Sequence, residues 1–139
     1  MIARLLRRLR RDDRGQSLVE FALVAPILLI LILGIVDFAR AWNVYQVLTD
    51  AGREGTRNSV VDNGSTVAEV QNIIINAANR AGVQLTTSDI TVTEGSNSGD
   101  ATTVTISYTH RLNFIGVAFR IFTGSPNINF SVVSTMRRE

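Results

Sequence analysis

The residues with most chemical potential are few. His110 is the single histidine, and Ser107 precedes it by three positions. In an alternating, strand-like segment such a spacing sends the two side chains to opposite faces, so they cannot work as nucleophile and base within one extended strand. One histidine builds no histidine-rich metal site, and the absence of cysteine removes thiolate nucleophiles, thiolate metal ligands and disulfides together. Asp89, Glu94 and Asp100 bring acids near the loop at 94–100, but their spacing fits no EF-type calcium pattern and reads as a solvated acidic loop. Neither a phosphate-cradling GxxxxGK[ST] nor a G-x-S-x-G elbow occurs. The expectation is therefore no catalytic residue, no metal ligand, no cofactor and no small-molecule substrate: the chain is not an enzyme.

One further residue stands in an unusual place. Glu20 is at the mouth of FALVAPILLILILGIV, the sixteen uncharged residues from Phe21 to Val36. Counted back across Glu20 to Leu18, a helix here spans about 28 Å, close to the roughly 30 Å hydrocarbon thickness of a bilayer. A carboxylate drawn into such a layer costs on the order of 3 kcal/mol and marks a partner or a pathway. At the helix N-terminus it is also favoured by the macrodipole, which is the plainer account of it.

Charge sets the orientation of this helix. All 14 basic residues of the 139-residue chain are arginine, and six of them, Arg4 to Arg14, face only Asp12 and Asp13 before the apolar run. The isoelectric point near 9.9 thus reports a tail and not a basic domain, which leaves nucleic-acid binding without its main support. By the positive-inside rule the tail is cytoplasmic and everything after Asp37 lies across the membrane, which in a bacterium is the periplasm.

Three readings of the segment compete. A cleaved secretory signal would use the small-x-small pattern Ala39-Arg40-Ala41, against which the apolar run is too long. An uncut anchor would hold a small outer domain. The third rests on Arg14-Gly15-Gln16-Ser17-Leu18-Val19-Glu20-Phe21, which resembles the type IV prepilin cleavage motif. That resemblance implies a cut by prepilin peptidase between Gly15 and Gln16, with Glu20 as fifth residue of the mature chain and as the carboxylate that neutralises a neighbouring subunit's new amino group.

From Arg14 to Arg57 the sequence is similar to the TadE-like minor pilins or pseudopilins of the tight-adherence (Flp) type IV pilus system: GQSLVEFALVAP, then Gly34-Ile35-Val36-Asp37-Phe38, then Ala51-Gly52-Arg53-Glu54-Gly55-Thr56-Arg57. Gln16 stands where major type IV pilins usually carry phenylalanine, which favours the TadE group. The implied partners are prepilin peptidase, other pilus subunits or pseudopilins met through the N-terminal helix, and inner-membrane lipid. The implied location is the bacterial inner membrane, single pass, or a pilus at the cell surface. The alternative is a membrane-anchored surface adhesion or binding module outside any pilus.

These residues must be positioned by an α+β, pilin-like architecture. Three parts are expected: a basic leader (1–15), a transmembrane and stalk helix (16–57), and an extracytoplasmic head (58–139). Pro26 removes a helix hydrogen bond and predicts a kink in the span. Beyond the bilayer, Ala51 and Gly55 permit close helix packing, the charges from Asp37 to Arg57 read as a solvated face or as pairs between subunits, and Trp42 and Tyr45 fall in the headgroup zone. After an Asp62-Asn63-Gly64-Ser65 turn, Ser65 or Thr66 caps a second helix ending at Gly82. Its expected buried stripe is Val67, Val70, Ile73, Ile74, Ala77, Ala78 and Ala81. Alternation predicts strands at Ile90–Thr93, Ala101–Arg111 and Ile128–Met136, an antiparallel sheet of about three strands. LNFIGVAFRIF, residues 112–122, is a short helix or a loop on the sheet.

Overall fold

The computed structural model describes residues 13–61, 65–94 and 99–137. The basic leader up to residue 12, residues 62–64 of the expected turn, residues 95–98 of the expected polar loop and residues 138–139 lie outside them. Helix α1 (Asp13–Val61) is a single 49-residue element, about 73 Å long at 1.5 Å per residue. It continues through Pro26, which leaves the Ala22 carbonyl without its usual donor. The helix outruns its expected end at Arg57 by four residues. Ser59 explains this: it is buried, so tertiary packing holds a turn whose Asn, Ser and Val residues are poor helix formers.

The two halves of α1 live in different surroundings. Within the apolar window none of the residues is buried by the rest of the chain. Beyond it, Asp37, Ala41, Leu48, Ala51, Thr56 and Ser59 form a buried stripe at helical spacing. Thr56 satisfies its hydroxyl by donating to the Gly52 carbonyl at 2.6 Å.

Helix α2 (Val67–Arg80) starts with a capping box: the Glu69 amide donates to Thr66 Oγ1 at 3.3 Å and the Thr66 amide donates to Glu69 Oε2 at 2.7 Å. It ends at Arg80, and Gly82 two residues on has a φ of 80° that turns the chain sharply enough for the Val83 amide to reach the Ala78 carbonyl. Its buried face is narrower than the sequence suggested. Val70, Ile74 and Ala78 are buried, Ile73 and Ala77 are half-buried, and Val67 and Ala81 are exposed at the two ends.

The strands are β1 (Ile90–Thr93), β2 (Ala101–Arg111) and β3 (Asn127–Arg137), antiparallel in the order β1-β2-β3. Ile106 sits opposite Ile90 on one side and Val132 on the other, which puts all three on the face that receives the helices. The core joins Leu48 and Ala51 of α1 with Val70, Ile74 and Ala78 of α2 and with Ile90, Val104, Ile106 and Val132 of the sheet. This is a two-layer α+β fold whose helical layer borrows the outer half of α1.

The small residues of α1 serve that layer. A Cβ at Gly55 would lie 2.6 Å from Ile74 Cδ1, so only glycine lets α2 approach this closely. A Cβ at Gly52 would stand 3.4 Å from Ile106 Cδ1. The 112–122 stretch is a bend followed by helix α3 (Gly116–Thr123), which has no extensive contact with the sheet. It projects from the end where β2 finishes and β3 begins, its neck closed by the Leu112 amide donating to the Pro126 carbonyl at 3.0 Å.

Candidate functional site

The Gly15–Gln16 peptide lies within the first turn of α1, two residues after the helix begins at Asp13. Gln16 and Glu20, one turn apart and both exposed, are joined by a hydrogen bond from Gln16 Nε2 to Glu20 Oε1 at 3.2 Å. Six residues on, Pro26 is exposed in the unbroken helix. From Phe21 to Val36 the large apolar side chains of α1 are nearly all exposed and none is buried, the chain touching the run only at its last turn, where Ile115 nears Gly34. A helix apolar all round belongs in lipid or among other apolar helices. Its chemistry is associative: one carboxylate at one end of a surface that must be covered.

The far end of the run holds a residue whose role sequence reasoning missed. Asp37 follows Val36 directly, just past the membrane-length segment, and is only 2% exposed. Its Oδ2 accepts the Phe114 and Ile115 amides, both at 2.8 Å, and its Oδ1 accepts the Asn113 amide at 3.4 Å. These donors belong to the bend at 113–115 that leads into α3, and Ile115, the N-cap residue of that helix, makes no side-chain cap. Burial pushes the Asp37 carboxyl up, but the N–H groups of Ile115, Phe114 and Asn113 together with the nearby Arg40 outweigh it, and its pKa lies below the ordinary value. Arg40 itself stacks over the Phe114 ring, 5.0 Å from the centroid. Gly34, one turn earlier, leaves room for Ile115, whose Cγ2 would be 3.8 Å from a Cβ there. The head is thus clasped to α1 where the apolar run ends.

Residues 15–57 match the model of one protein family, described as TadE-like protein. The long helix is TadE-like. The match covers α1 nearly end to end and stops before α2, in agreement with the resemblance to tight-adherence pilus proteins drawn from residues 14–57. No curated protein and no solved structure matches the chain.

Along the outer half of the TadE-like helix, the charges expected on a solvated face divide into three. Asp50 and Arg53 approach to 3.9 Å on the surface, Glu54 reaches Arg80 of α2 at 3.2 Å, and Asp37 is not solvated at all. Asp37 was hidden in an alternating series of charges because its partners are backbone amides 76 to 78 residues away, which carry no sequence signature. The one available signal was its place directly after an apolar run. Phe38, Trp42 and Tyr45 form a ladder along the TadE-like helix with centroids 6.3 and 6.0 Å apart, and Tyr45 also meets Phe130 of β3.

The residues considered for catalysis are dispersed. His110 lies beside the Phe130 ring, whereas Ser107 is opposite Ser131 on the other face of the sheet. Asp89 accepts from the Thr86 amide at 2.8 Å and from its hydroxyl at 2.6 Å, a local turn that occupies the carboxylate.

Proposed function

We propose that the chain is a minor pilin or pseudopilin acting in assembly of a tight-adherence (Flp) pilus, processed by prepilin peptidase after Gly15. The observation that carries this reading is the spacing of Gly15, Gln16 and Glu20 at the start of one continuous TadE-like helix whose apolar half is bare. Cleavage makes the Gln16 amine the chain terminus, one helical turn from Glu20. When such helices leave lipid and gather side by side, the Glu20 carboxylate needs a positive partner, and the amine of a neighbouring subunit is of the right sign. Apolar burial gives little net drive for this transfer, because lipid tails are as apolar as leucine; close packing of the helices supplies it. The protein performs no catalysis in this scheme, and its partners are the peptidase, other pilus subunits and inner-membrane lipid.

The test is the intact mass and N-terminal sequence of the protein from its native membranes. A chain beginning at Gln16 supports the proposal. One beginning at Trp42 makes it a released domain and removes the pilus role, and an uncut Met1 chain makes it a membrane-anchored adhesion or binding module. Glu20→Leu then separates assembly from anchoring: pilus assembly should fail while membrane retention persists.

A further inference from the structure

The β2–β3 connection ends in an unexplained surface. Val117 and Ile121, one turn apart on α3, are 80% and 77% exposed, and Phe114 just before the helix is 46% exposed. Nothing in the head covers Val117 and Ile121, Phe114 carries only the Arg40 guanidinium of α1 over its ring, and α3 has no extensive contact with another element. Beside them Arg111 and Arg120 border an open hollow of about 340 Å³. Neither arginine has a carboxylate within ion-pair distance among the described residues.

The position of α3 relative to α1 identifies what covers this surface. Ile115, at the start of α3, seats against Gly34 inside the last apolar turn, and the next residues along α1 hold the amides of 113–115 through Asp37. The foot of the head is therefore level with the end of the membrane-length apolar run. An amphipathic segment with apolar side chains on one side and arginines beside them, held at that depth, has the composition of an interfacial element. We propose that α3 lies in the headgroup and acyl boundary of the bilayer that α1 crosses, with Phe114, Val117 and Ile121 immersed and Arg111 and Arg120 on lipid phosphates. The head then stands on the membrane at two points and cannot swivel freely about α1. This rests on α1 crossing a bilayer and is independent of prepilin processing.

The absence of cysteine makes the test clean, because one introduced thiol gives one spin label. Ile121→Cys is labelled in the full chain and reconstituted in vesicles of phosphatidylcholine with phosphatidylglycerol, and the accessibility of the label to oxygen and to a water-soluble nickel chelate is compared. Val133→Cys, on the outer face of β3, supplies the water reference, and Leu29→Cys, in the apolar run, the lipid reference. The expected result is an oxygen-to-nickel ratio at Ile121→Cys several-fold above that at Val133→Cys. Equal ratios at these two sites, with Leu29→Cys reading lipid, overturn the proposal while leaving the anchor intact. Dipolar broadening between labels at Ile121→Cys overturns it in favour of a second copy of the chain, and a water-like Leu29→Cys removes the membrane premise itself.

Discussion

Replacing Asp37 by alanine tests the clasp between α1 and the head. The substitution removes the acceptor of two short, charge-assisted hydrogen bonds at 2.8 Å and of a weaker one at 3.4 Å. Bonds to a charged group contribute about 1.5–3 kcal/mol each, and the amides at 113–115 are partly reachable by water once released, so the lower end applies. The two short bonds then sum to about 3 kcal/mol, which at 1.36 kcal/mol per decade is roughly a 150-fold shift toward the open form of the 112–115 segment. Asp37→Asn keeps one acceptor oxygen and loses the charge, so about half of this, or roughly ten-fold, is expected. Amide hydrogen exchange of the full chain in detergent micelles reads the effect directly at Phe114 and Ile115. Amides in α2 serve as the internal standard, since no bond from Asp37 reaches that helix. Unchanged exchange at Phe114 and Ile115 in Asp37→Ala would refute the reasoning, as would an equal acceleration in α2, which would mean that the whole head had loosened.

Three further outcomes follow from the same geometry. Because the folded pKa of Asp37 lies below its ordinary value of 3.8, its stabilisation is fully present above that value and is lost as pH falls through the folded pKa; protection of the 113–115 amides, corrected for intrinsic exchange, should hold from neutrality to about pH 4 and drop below it. Gly55→Ala should lower the thermal midpoint of the head by circular dichroism, because overpacking against Ile74 costs about 1–3 kcal/mol and the gain in helix propensity returns only about 1 kcal/mol; Ile74→Val in the same chain should recover part of the loss, and a Gly55→Ala protein as stable as the parent would show that the helices can separate without cost. Thr66→Ala removes the cap of α2 and should destabilise the head by about 1 kcal/mol, measured by denaturant unfolding of the full chain.

What could be read from the sequence differs from element to element for physical reasons. The strands were legible because Ala101–Arg111 and Asn127–Arg137 each present one face to the helices, and a single buried face imposes strict alternation. The membrane-length helix was legible because its environment is uniform. The stretch from Leu112 to Phe122 was ambiguous between helix and loop, since its apolar residues are not sorted by packing against the core. Gly15 to Glu20, on which the processing proposal rests, form one local stretch that is read without the fold. Asp37 could not be read this way, because its donors are main-chain groups brought to it only by folding, and the exit of the helix looked like any other charged flank. The breadth of the buried stripe on α2 was also overstated: periodicity names the side that packs but not how much of that side its neighbours cover.

The long contact between α1 and the head has a mechanical meaning. From Ala41 to Ser59 the buried stripe runs about 27 Å along the helix axis. A pull applied along that axis, as when a tethered head is dragged away from its anchor, loads the whole stripe and the Asp37 clasp in parallel. Such a seam yields by shear, with many contacts breaking together, whereas a sideways pull would peel it one turn at a time. The same α1 continues without a break into the apolar run, so tension taken up by the sheet passes straight to the membrane end with no hinge between Asp37 and Val61 to absorb it.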